Sequence, residues 1–208
     1  MRGGGSAAVS MKLIARCLLP LLPLATVIAC RTPPSPAVRA FGDNRFWITL
    51  DDMRYTVGTT DKVIVVPQGF VTDFASIPQF LWSFGLSPNG QYSRAAIVHD
   101  YLYWTQGCTR DEADRLLFIA MAESNVKPMT RYAVYGGVSI AGKGPWDGNA
   151  KERQEGLLRI VPKDYLSPSD PNVSWPAYRD MLVRDGVKDP TFDQHPSYCR
   201  LGDTLAVP

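Results

Sequence analysis

"RAAIVHDYLYW", residues 94–104, sets a histidine and an aspartate, His99 and Asp100, among residues that otherwise favour burial. The stretch reads as a helix inside a core, with Ser93 ahead of it as a cap and an end near Trp104. Shortly after it, "TRDEADRLLFIAMAES" (109–124) opens on Thr109 with Glu112 three positions later, a capping box that starts a second helix running toward Ser124. Two helices joined by so few residues run antiparallel.

That pairing gives the histidine its candidate partners. A helix rises about 1.5 Å per residue, so His99 lies about 8 Å back from the end of the first helix and Asp114 about 7 Å into the second, which can set them level. Tyr103, four residues after His99, shares its face, whereas Asp100 points about 100° away. A carboxylate holding one imidazole nitrogen fixes the tautomer and leaves the other free to take a proton from water, and Asp100 could hold a hard cation. The competing reading is a satisfied polar seam, with His99, Tyr103 and Asp114 bonded to one another only to fix helix register.

Outward from the pair, Asn125 stops the second helix and Pro128 suits the first turn of a third, "KPMTRYAVYGGVSIAG" (127–142), where Gly136-Gly137 allows close packing or a break. Upstream, "RFWITL" (45–50), "MRYTV" (53–57) and "KVIVV" (62–66) are β-branched and aromatic, separated by Asp51-Asp52 and by Gly58–Asp61, and read as one small antiparallel sheet. The following "PQGFVTDFASIPQFLWSFGLSPNG" (67–90) reads as an ordered loop with a helical turn near Phe80 and a turn at Asn89-Gly90. The expected fold is α+β: a small antiparallel sheet on an antiparallel helix pair plus a third helix, forming a core of residues 42–148. From Lys151 onward, within a C-terminal extension of residues 149–208, prolines and scattered aromatics read as an irregular tail.

The amino terminus reads as an export signal. Lys12 and Arg16 precede an apolar run from Leu18 to Ile28 that is short for a membrane span and interrupted by proline, and Met11 is a plausible start. The run ends in Val27-Ile28-Ala29-Cys30, which resembles a bacterial lipobox. That resemblance implies removal of residues 1–29, lipidation of Cys30, and a Pro-rich spacer over residues 30–41 tethering a domain in the cell envelope, facing the periplasm or exterior. An ordinary signal peptide with Cys30 incidental is the alternative. With Cys17 in the signal and Cys30 taken by lipid, Cys108 and Cys199 are an even pair, either a disulfide or two separate buried thiols; no C-x-x-C spacing suggests a zinc knuckle.

The 45% hydrophobic content supports one core, and a formal charge of +2 without any basic stripe excludes the nucleic-acid-binding class. "GGVSIAGKG" (136–144) lacks the preceding strand and the terminal Lys-Ser/Thr of a phosphate loop. His195, in a proline-rich tail with no patterned acidic partner, reads as a surface residue, and Met121 as core.

Two resemblances attach to the helix pair. "GFVTDFASIP", "AAIVHDYLYW" and "RDEADRLLFIAM", within residues 69–121, resemble a domain of unknown function common in phages, prophages and bacterial genomes. More locally, His99, Asp100, Tyr103 and Asp114 resemble the helix H-D-x-x-Y and facing aspartate of secreted and viral phospholipases of the A-two type. This implies His99 as base, Asp114 as its orienting partner, Tyr103 beside them, and Asp100 as a calcium ligand. The glycine-rich loop that completes calcium binding in that family is replaced by "TDFASIP" (72–78), where Thr72, Asp73 and Ser76 offer oxygens. Two functional readings follow. One is an envelope-anchored hydrolase acting on a lipid ester or another ester or amide. The other is a non-catalytic, phage-derived envelope lipoprotein that binds an envelope lipid or protein partner in assembly, lysis or exclusion.

Overall fold

The computed structural model describes residues 36–74 and 92–204. The signal and lipobox with Cys30, the turns expected near Phe80 and Asn89, and Ser76 lie outside the described residues.

The fold is α+β, as the strand and helix patterns predict. Among the described residues, five strands, β1 (Val38–Ala40), β2 (Trp47–Thr49), β3 (Met53–Thr56), β4 (Val63–Val66) and β5 (Val71–Thr72), precede six α-helices. These are α1 (Tyr92–Thr105), α2 (Arg110–Glu123), α3 (Pro128–Ala141), α4 (Lys143–Gln154), α5 (Trp175–Arg184) and α6 (Leu201–Thr204).

The strands form two antiparallel sheets rather than one: β1-β2-β5 and the hairpin β3-β4. The break falls at Asp51-Asp52, where the Asp52 carboxylate accepts from Gln68 N at 2.8 Å and the Gln68 side chain donates to Leu50 O at 2.6 Å, pinning a corner between the sheets. β1 lies in the stretch expected as spacer, so the fold begins before residue 42. Paired with β2 through Val38↔Thr49 to Ala40↔Trp47, it is an edge strand too short to show an alternating pattern of its own.

Helix starts and stops follow local chemistry. Thr109 forms the expected capping box with Glu112 at the start of α2. At its end Asn125 adopts φ +59°, with Val126 N bonded to Met121 O and Asn125 N to Ala122 O, satisfying the last carbonyls. Ser93 is inside α1, which already begins at Tyr92. α3 runs unbroken through Gly136 and Gly137, and a β-carbon at either would meet nothing within 4 Å, so they mark neither a break nor a close approach.

The tail is more regular than its composition suggests. α4 contains Gly144, Pro145 and Gly148, poor helix formers, but Arg153 donates to the terminal carbonyls of Trp104 and Thr105 and so holds α4 across the end of α1. α5 takes its cap from a distance: Ser174 makes no side-chain cap, and Asp43 accepts from Trp175 N at 2.8 Å. Two cores result. α1, α2 and the β3-β4 hairpin enclose one. The other joins Phe41, Ile48 and Val71 to Leu158, Val161, Trp175, Tyr178 and Leu182 of the tail. Residues 159–161 run beside 69–71, with Val71 N bonded to Arg159 O and Val161 N to Gly69 O. Gly69 permits this approach, since a β-carbon there would lie 2.0 Å from Val161 O and its φ is +86°.

Candidate active site

His99, Tyr103 and Asp114 meet between α1 and α2, at the level the helix rises predict. Oδ1 of Asp114 stands 2.9 Å from His99 Nε2 and accepts from the Tyr103 hydroxyl at 2.6 Å. The set is closed, with His99 4%, Tyr103 5% and Asp114 1% exposed. The Tyr103 ring lies 4.0 Å from the imidazole between centroids, and burial, with the Asp114 carboxylate behind it, holds its phenol far above the ordinary range, so it stays a donor.

Three further residues shape this site. Arg110, one turn before Asp114, donates to its Oδ2 at 3.1 Å and to Ser139 O of α3 at 3.1 Å. Trp146 of α4 packs edge-on to Tyr103 at 5.1 Å. Gly142, between α3 and α4, leaves room for the tyrosine: a β-carbon there would lie 2.3 Å from the hydroxyl. The i,i+4 spacing of Arg110 and Asp114 was a readable signal. Trp146 and Gly142 arrive through the packing of α3 and α4 and had none.

Asp100 points instead toward β5, where its Oδ2 accepts from the Thr72 hydroxyl, and Thr72 Oγ1 in turn accepts from Phe74 N at 2.9 Å. The buried Tyr92 phenol is raised, by desolvation first and then by the Asp100 and Asp73 carboxylates. Thr72 and Asp100 therefore form one cluster, with Asp73 next to Thr72 in the chain, and His99, Tyr103 and Asp114 form another; α1 contributes to both. Cys108 and Cys199 are joined in a disulfide, and His195 stands beside Glu112 at the same end of α2.

This arrangement of strands and helix pair coincides with a known sequence family. Residues 47–138 match the family described as "Protein of unknown function (DUF1353)". The matched segment runs from β2 into α3 and contains both clusters. A protein of Sinorhizobium fredii described as "Uncharacterized protein y4jT" is 35% identical over 78 residues, covering 37% of this chain. That match spans only 23% of the relative's own length. No solved structure matches the chain.

Proposed function

We propose that this protein is an envelope-anchored hydrolase, of phage-related descent, in which His99 acts as general base toward a lipid ester or another envelope ester or amide. The observation that carries this reading is the convergence of His99 Nε2 and the Tyr103 hydroxyl on one oxygen of Asp114. With Nε2–H held by the carboxylate, the lone pair resides on Nδ1. There it accepts a proton from the attacking water and later returns it to the leaving group. Tyr103 and Arg110 fix the carboxylate so that the ring keeps this orientation. A divalent cation, calcium, would be held by Asp73 and Asp100, with Thr72 and Ser76 as further oxygen donors, and would polarise the substrate carbonyl. The anchor is a lipid on Cys30, with the Pro-rich spacer leading to β1, so the membrane is the first partner.

The second reading, a non-catalytic envelope lipoprotein, draws on the closure of the site and on the Arg110 ion pair, which already balances the Asp114 charge. On that reading the exposed Met129, Tyr132 and Ile140 of α3 are the partner-binding face.

A panel of ester and amide substrates, assayed with and without calcium, separates the two. The hydrolase reading expects turnover that His99→Gln abolishes with little change in melting temperature. A protein without turnover, blind to calcium and destabilised by His99→Gln, would instead be the binding protein.

A further inference from the structure

Cys108 sits in the turn between α1 and α2, and Cys199 just ahead of α6. Beside their sulfurs stands Glu112, buried, at the third position of α2. One ligand atom from each of Cys108, Glu112 and Cys199 lies within 4.8 Å of the others.

The glutamate divides its oxygens between two tasks. Oε2 accepts from the Thr109 backbone and hydroxyl at 2.7 and 2.9 Å, which completes the cap of α2. Oε1 faces His195 Nε2 at 3.9 Å. His195 is fixed to the same turn through its backbone, whose N–H donates to Gly107 O at 2.8 Å, while its side chain is half-exposed. Two sulfurs and a carboxylate oxygen thus converge from the α1–α2 turn, the first turn of α2 and the C-terminal segment, and the His195 imidazole stands on the far side of that carboxylate, within reach of the group by side-chain rotation.

We propose that reduction of the Cys108–Cys199 disulfide by a dithiol converts this cluster into a four-coordinate zinc site of Cys108, Cys199, Glu112 and His195. The exchange is balanced: the dithiol reductant becomes a disulfide, the protein gains two thiols, and zinc binding releases two thiol protons. Zinc bonds of about 2.0 to 2.3 Å to oxygen, nitrogen and sulfur set tetrahedral ligands about 3.3 to 3.8 Å apart. The histidine–carboxylate separation is already near that range. Once the covalent bond is gone the sulfurs can move apart by side-chain rotation. Two thiolates select a borderline-soft ion over calcium or magnesium. Because only Oε1 is needed for the metal, the α2 cap survives. The disulfide and the zinc site would be alternative staples of the same tail segment, exchanged by redox state.

The test uses the full chain, oxidised or reduced with a non-ligating phosphine under anaerobic conditions, titrated with Zn²⁺ against a chromogenic chelator and separately with Co²⁺. The proposal expects one Zn²⁺ per reduced chain, bound at least 100-fold more tightly than to the oxidised chain. It also expects a tetrahedral cobalt spectrum with thiolate charge-transfer bands. Glu112→Gln keeps the capping box, and His195→Ala alters an exposed side chain; each should weaken zinc at least tenfold. Equal binding by both redox states, an octahedral cobalt spectrum, or affinity indifferent to both substitutions overturns it. If reduction unfolds the chain, added zinc must restore the far-ultraviolet circular dichroism, and failure to do so overturns it as well.

Discussion

The buried indole N–H of Trp104, at the end of α1, donates to Oδ2 of Asp189 at 2.5 Å across 85 residues of chain. The same carboxylate accepts from Arg159 N at 3.1 Å and Ile160 N at 2.8 Å, so one side chain ties residues 159–160 of the tail to the helical core. Burial pushes Asp189 above the ordinary carboxylate range, against the pull of these three donors. Asp189→Asn presents an NH₂ where an acceptor is required and leaves one donor unsatisfied. It should cost about 1 to 3 kcal/mol, measured by denaturant unfolding, with Trp104 fluorescence reporting the loosened contact.

At the helix-pair site the two substitutions of Asp114 should differ. Asp114→Asn keeps the volume and one acceptor, so the fold should persist while ¹⁵N shifts of the His99 imidazole report a changed tautomer population. Asp114→Leu leaves His99, Tyr103 and Arg110 without their common acceptor and should lower stability by about 3 kcal/mol. Equal melting temperatures for the two variants would mean the hydrogen bonds contribute nothing to the fold.

The disulfide spans a sequence separation of 91, so the chain entropy it removes from the unfolded state corresponds to about 4.6 kcal/mol. Cys108→Ser with Cys199→Ser should melt lower by roughly that amount and become indifferent to reductant in metal-free buffer. Mass spectrometry of the non-reduced chain checks the bond directly, since two free thiols would contradict it.

Glu123, the last residue of α2, accepts a hydrogen bond from the buried Tyr55 hydroxyl. Desolvation raises its carboxyl above the model-compound value of 4.5, although Tyr55 and a backbone N–H oppose the shift. A carboxylate raised on folding contributes stability that is full below its unfolded pKa and is lost as pH rises through the folded one. Its place at a helix C-terminus adds to the cost of ionisation. In melts from pH 4 to 8, Glu123→Gln should therefore gain on the wild type as pH rises, and a difference constant with pH would refute the assignment.

Local pattern determined the helix pair and its chemistry. A capping box at Thr109, a left-handed stop at Asn125 and a proline at the start of α3 act within a few residues of themselves. The face shared by His99 and Tyr103 follows from helical period, and the level of Asp114 from a short connection. Those terms are complete in the sequence of residues 92–128. Tertiary structure decided what depends on partners far along the chain. β1 exists because β2 offers an edge. α4 is a glycine-containing segment held by Arg153 on the carbonyls of α1, and α5 is capped by Asp43 and buried against Phe41 and Val71. His195 looked solitary in sequence, and only docking of the tail onto Gly107 sets it beside Glu112. The physical reason is that such contacts close loops of tens of residues and form only when several buried surfaces combine to offset the lost chain entropy, which no local spacing encodes.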